Sequence, residues 1–252
     1  MEWSLSSIFV VSLLFFIVAF LYSSVGHGGA SGYLAILSFI ILSPAEMSTT
    51  ALLLNVVVAG IASFSFIRSG HFLPRLTLPF VVASIPMSFA GGMITVSPAI
   101  YAVLLGLALV AASFRLAIRF GPHDRESGER RRPTFSLSLL VGSLIGLLSG
   151  IVGIGGGIFL SPLVLLMGWG DAKQTAAASA VFILLNSAAG LLGRAVQHTL
   201  AFGNLLPFLL VTVLGGFLGS RAGATRFSNL TLRRILAIVL FIAAMRIFPN
   251  FG

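Results

Sequence analysis

Two clusters of glycine interrupt apolar sequence: Gly26-His27-Gly28-Gly29 within "SSVGHGGASGYLA", and Gly153-Ile154-Gly155-Gly156-Gly157 within "SGIVGIGGGIFLSPL". Glycine disfavours a helix interior by about 1 kcal/mol relative to alanine and reaches backbone conformations closed to other residues. The clusters therefore predict two broken helices. The helix that restarts after each break begins with unpaired N–H groups and a partial positive charge, which is chemistry for holding an anion. On this reading the substrate-binding residues are Gly28, Gly29 and Ser31 at the first break and Gly155, Gly156 and Gly157 at the second. Asn55, Asn186 and Ser179 join them from neighbouring segments, with Ser24, Ser149, Ser161, Thr49 and Thr50 as further hydroxyls. His27 is the titratable group within a cluster, and its ordinary pKa near 6.5 makes it the candidate for proton coupling.

Each feature has a plainer alternative. The glycines could serve close helix packing in the small-xxx-small manner, as "LGGFLGSRAG" is expected to do. His27 could bond only loop backbone, and each asparagine could clamp helices together, since a buried amide needs a partner. A dinucleotide fingerprint is rejected at the second cluster: the glycine spacing fails and the nearest downstream acid is Asp171.

The elements that must position these residues are membrane helices. The chain of 252 residues is 58% hydrophobic and 8% charged, with mean hydropathy +1.09, against about a quarter charged in a soluble domain. Runs such as "LLFFIVAFL" do not alternate as barrel strands do. The reading is an all-α polytopic membrane protein. Its net charge of +9 does not indicate nucleic acid, because the basic residues, 14 of 15 of them arginine, cluster in short loops between spans. That is the positive-inside pattern, with an anionic cytoplasmic leaflet as partner. No cysteine occurs and all six acids fall in loops, helix ends or the linker. Nothing here suggests catalytic residues, a metal site or a cofactor. The first apolar run lacks a basic n-region and reads as a retained helix. Arg194, Gln197 and His198 follow a span and read as interfacial anchors, and His71 and His123 as loop residues.

A hydrophilic linker, 119–133, separates two transmembrane halves, 1–118 and 134–252. Gly26 to Gly29 match Gly153 to Gly156, Asn55 in "ALLLN" matches Asn186 in "FILLN", and "LPFVVASIPMSFAGG" matches "LPFLLVTVLGGFLGS". Matches in one order at nearly constant offset indicate duplication. Each half holds about four full spans plus one short or broken helix, giving 8–10 hydrophobic segments: about 5–22, 31–42, 47–67, 76–96 and 98–118, then 135–152, 157–168, 174–194, 204–220 and 230–248. If all ten cross, the halves are inverted and thirteen basic residues lie inside with two outside; if the short ones re-enter, the count is ten to five. The positive-inside rule favours the inverted repeat. A pair of interrupted segments in corresponding positions is the sequence-level pointer to a transporter's binding site.

"GHGGASG" and "GIVGIGGGIFLSPLVLL", with "AAASA", "HTLAFGNL" and "LGSRAG", resemble the sulfite exporter TauE/SafE family of membrane permeases over nearly all of both halves. The second copy is the closer match, and Ser179 follows an alanine where the family pattern has threonine. The resemblance implies a non-enzymatic secondary transporter moving sulfite, sulfoacetate or a related organosulfonate across the cytoplasmic (inner) membrane. A passive anion channel, a non-transporting scaffold or assembly factor, and a homo-oligomeric form of any of these remain open at this point.

Overall fold

The computed structural model describes residues 5–37, 44–94, 97, 100, 133–197, 200, 206–232, 234 and 235. The expected segment 98–118, most of the 119–133 linker, the greater part of segment 230–248, His123 and His198 lie outside them. Among the described residues every regular element is helical: α1 (Leu5–Ser24), α2 (Ala30–Leu37), α3 (Pro44–Arg68), α4 (Pro74–Gly92), α5 (Phe135–Val152), α6 (Gly157–Leu166), α7 (Ala172–Val196) and α8 (Leu206–Arg221), the last running on into a π-turn, Ala222–Arg226. Among them, four are long and apolar enough to cross a membrane: α3, α5, α7, and α8 with its π-turn.

Local chemistry sets these boundaries. Pro74 opens α4, where its missing N–H is no loss. Thr134 caps α5 by accepting from the Leu137 N–H. Asp171 and Gln174 form a reciprocal capping box at the start of α7, with bonds of 2.8 and 3.1 Å. At the far end of α1, the His27 N–H reaches the Tyr22 carbonyl at 2.8 Å and the Gly26 N–H reaches that of Ser23 at 3.0 Å, a Schellman stop that needs the left-handed backbone of Gly26 (φ 76°). Gly153 (φ 80°) ends α5 by a single bond, its N–H to the Ser149 carbonyl at 2.8 Å. Both expected breaks are therefore real helix stops.

The helices assemble so that α4 lies along α5, α1 along α8, α7 against both α3 and α4, and α3 also against α8. α3 and α7 are the most buried of the long helices. On the outer faces of the bundle a belt of large side chains is exposed, among them Phe9, Phe64, Leu140 and Leu210, as lipid-facing surface requires. These pairings exchange with one another when the two halves are swapped: α4–α5 answers to α8–α1, and α4–α7 to α8–α3.

Two glycine stripes seat the outer pairs. A methyl group placed on Gly142, Gly146 or Gly150 of α5 would collide with the carbonyl oxygens of Phe80, Ser84 and Ser88 on α4. On Gly215, Gly219 or Gly223 it would collide with those of Phe16, Phe20 and Ser24 on α1. In both cases backbone meets backbone, the small-residue packing that replaces a hydrophobic driving force within lipid. "LGGFLGSRAG" thus has the packing role expected of it, and the α5 stripe adds a second that the sequence reading above does not include. Overpacking of this kind costs typically 1–3 kcal/mol. Gly146→Leu is accordingly expected to lower the unfolding temperature of the detergent-solubilised protein, whereas Leu144→Ala, on the exposed side of the same helix, is expected to leave it nearly unchanged.

Candidate functional site

The two breaks lie against each other, and one side chain joins them. Asn55, in the middle of α3 and fully buried, accepts from the Ala30 N–H through Oδ1 at 3.0 Å, at the first residue of α2. Its Nδ2 donates to the Ile154 carbonyl at 3.0 Å, inside the second break, and to Ser187 Oγ on α7 at 3.4 Å. The backbone on both sides closes in on this amide. A methyl on Gly28 would strike Asn55 Oδ1, and one on Gly155 would come within 2.8 Å of Nδ2. Those two glycines are required by close approach to Asn55, one at the oxygen and one at the nitrogen of its amide.

A second link runs through His27. Its Nδ1 faces the Val25 carbonyl at 3.1 Å, its Nε2 faces Ser161 Oγ of α6 at 3.4 Å, and its ring lies edge-on to Tyr22 at 6.4 Å between centroids. Ser161 Oγ also lies 2.5 Å from Ser179 Oγ on α7. The imidazole at the first break is thus tied to the helix that restarts after the second, and Ser179 shares that cluster.

The remaining expected residues fall in different places. Ser31 pairs with the Tyr22 hydroxyl at 2.9 Å. Gly29 sits against the Tyr33 ring, and Gly156 against Phe182, Ile145 and Ser149. Gly157 abuts Ile183. Ser24 bonds back to its own helix at the Leu21 carbonyl. Asn186, the sequence counterpart of Asn55, touches neither break through its amide: Nδ2 donates to Ser84 Oγ on α4 at 3.0 Å and to the Phe182 carbonyl at 2.8 Å. It fastens α7 to α4, and Ser88 strengthens the same seam by donating to the Asn186 carbonyl at 2.8 Å. The alternative of an interhelical clamp describes both asparagines, with the difference that the helices Asn55 clamps are the broken ones.

Arg194 corrects an expectation. Rather than an interfacial anchor, it is buried at the end of α7 and donates through Nη2 to the carbonyls of Gly150 and Ile151, each at 3.2 Å. Those carbonyls belong to the last turn of α5, where helical partners run out. A cation there also opposes the negative end of the helix dipole.

The hydroxyls of Thr49, Thr50, Ser149 and Thr175 are buried with no hydrogen-bond partner. Around the breaks, then, lie backbone N–H groups, several hydroxyls, one imidazole and a guanidinium, while Glu46 and Asp171 sit at the first turn of α3 and the cap of α7. Such a donor-rich surrounding favours an anion over a cation.

The family model for sulfite exporter TauE/SafE matches residues 11–247 of the chain. A probable membrane transporter protein, y4hK, of Sinorhizobium fredii (strain NBRC 101917 / NGR234) is 35% identical over 94% of this chain and 96% of its own length. A second, probable membrane transporter protein ORF9 of a Sinorhizobium species, is 28% identical over 93% of this chain and 90% of its own. No solved structure matches the chain. Two glycine-broken helices held together in an all-helical, lipid-facing bundle, and a family match across nearly the whole sequence, lead to one conclusion: this is a multi-pass membrane transporter, and it belongs to the sulfite exporter TauE/SafE family.

Proposed function

We propose that the protein is a secondary transporter for a small sulfur-containing oxyanion, of the sulfite, sulfoacetate or related organosulfonate class, acting in the cytoplasmic membrane. The observation that carries this reading is the Asn55 bridge, which sets the Ala30 end of α2 and the Ile154 carbonyl of the second break against one amide. Paired broken helices at a repeat interface are how many transporters build a site in mid-membrane. In this reading the anion lies between the breaks, held by backbone N–H groups beside Gly28, Gly29 and Gly155 to Gly157, with Ser179 and the neighbouring hydroxyls in support. Asn55 and Asn186 act by positioning helices rather than as donors to the cargo. The exchange of helix pairings between halves supports a two-fold repeat, and the placement of the basic residues favours its inverted form, a geometry suited to alternating access.

The test is flux. The purified chain in liposomes is expected to move sulfite or sulfoacetate with saturation, and chloride much more slowly. Flux linear in concentration would make it a passive pore, and no flux of any sulfur oxyanion from folded protein would overturn the transporter reading of this substrate class. His27, which faces the neutral groups Ser161 and Tyr22, is the proton-coupling residue in this scheme. An imposed pH gradient is expected to change wild-type flux, and His27→Gln to remove that response while leaving downhill flux. A gradient response that survives the substitution would exclude His27.

A further inference from the structure

A buried threonine in a membrane helix ordinarily returns its hydroxyl to its own backbone, because no water is there to take it. The buried Thr77 and Thr212 do this, each donating to the carbonyl four residues earlier, Leu73 and Phe208 respectively. Thr175 does not. It is 2% exposed and its Oγ1 has no partner, although the carbonyl four residues back, that of Asp171, accepts from the Thr175 N–H at 2.8 Å. An unpaired hydroxyl in an apolar interior is destabilising.

Thr175 borders a cavity with room for about one water molecule. Ser161 of α6 is its other polar wall, and Val25, Leu165, Ala172 and Leu232 supply most of the rest. Through Ser161 the cavity connects to His27 and Ser179. The first break is seated against the same turn of α7, since a methyl on Gly26 would collide with the Ala176 carbonyl. Four separate stretches of chain, at Val25, α6, α7 and Leu232, therefore enclose two hydroxyls, one of them without a protein partner, around a space the size of a single oxygen-centred group.

We infer that Thr175 and Ser161 form a subsite for one oxygen of the transported anion, an inference that rests on the transporter reading above. The space matches one oxygen and not a whole sulfite, so the remainder of the anion lies on the Ser161 side, toward His27 and the breaks. The two hydroxyls are neutral donors, and the apolar walls leave no room for a larger substituent on the bound end. A cargo oxygen in this space would pair the Thr175 hydroxyl, which has no partner within the protein.

The experiment measures initial sulfite uptake against concentration in liposomes holding the full chain, as wild type, Thr175→Val, Thr175→Ser and Ser161→Ala, with the unfolding temperature of each. Thr175→Val keeps the shape and removes the hydroxyl. It is expected to raise KM for sulfite about tenfold or more, the loss of one hydrogen bond to a charged group. The same variant is expected to unfold at or above the wild-type temperature, since no unpaired hydroxyl remains. Thr175→Ser is expected to keep KM near wild type, and Ser161→Ala to raise it. A merely structural threonine predicts the opposite pattern: unchanged KM and lower stability for Thr175→Val. That result, with saturable wild-type flux, overturns the subsite and leaves the transporter reading intact, and so does an unchanged KM in Ser161→Ala should Thr175→Val not fold. Wild-type protein that moves neither sulfite nor sulfoacetate overturns both.

Discussion

Asn55→Ala is expected to destabilise the protein by about 3–5 kcal/mol, and Asn186→Ala by about 1–2 kcal/mol, although the two asparagines occupy matching places in the two halves. The difference follows from what each leaves behind, since an orphaned buried polar group costs about 1–3 kcal/mol. Without Asn55 the Ala30 N–H, at the first residue of α2, loses its acceptor, and the Ile154 carbonyl, in the non-helical second break, loses its donor. Neither group has a helical neighbour to turn to, and within a bilayer such backbone is tolerated only where protein or enclosed water satisfies it. Asn186 leaves Ser84 Oγ, which also donates to the Val81 carbonyl, and the Phe182 carbonyl within a continuous helix. Chemical unfolding in detergent measures both variants. Equal losses would mean that the bridge between the breaks is not what holds them. Sulfite flux per folded molecule should separate them too: nearly abolished in Asn55→Ala, where two half-helices lose their common anchor, and reduced only a few-fold in Asn186→Ala.

That contrast marks where sequence reading succeeds and where it stops. The breaks are legible because a run of glycines within apolar sequence destabilises a continuous helix at several successive positions. Helix ends follow to within about two residues at most boundaries: 135–152 is expected and Phe135–Val152 is observed. Asn55 and Asn186 are legible as polar groups needing partners. Their partners are not, because Ile154 and Ser84 stand 99 and 102 residues away in sequence, and equal spacing from the glycines does not fix which helix an amide faces. Thr175 adjoins the alanine run 176–178 and gives no signal, since its distinguishing property is a missing hydrogen bond. The α5 stripe of Gly142, Gly146 and Gly150 is a readable four-residue period, masked by the denser cluster that follows it. Arg194 misleads because it falls near the end of an apolar run, where snorkelling to the interface is the common outcome. What buries it is the end of α5, some forty residues earlier.

Arg194→Met is expected to cost about 2–4 kcal/mol, the scale of losing hydrogen bonds from a charged donor to two buried acceptors, and to lower sulfite flux more than tenfold at matched amounts of folded protein. Arg194→Lys should recover part of both, since an ammonium keeps the charge but lacks the planar array of donors that reaches two carbonyls. The effect on flux follows from electrostatics. A broken helix brings two ends to the same place: the positive N-terminus of the piece that follows and the negative C-terminus of the piece before. An anion at the second break meets the start of α6 favourably and the end of α5 unfavourably. Arg194 covers the Gly150 and Ile151 carbonyls, so the positive end dominates the local field. The first half places no cation at the matching position: counting eight residues from Asn55, as Arg194 lies eight from Asn186, reaches Ser63. There the end of α1 is closed instead by the N–H groups of Gly26 and His27. The two breaks therefore solve one problem by different means, charge in one and backbone in the other. If Arg194→Met and Arg194→Lys lose flux equally while stability differs, the guanidinium's role is geometric and the field argument fails.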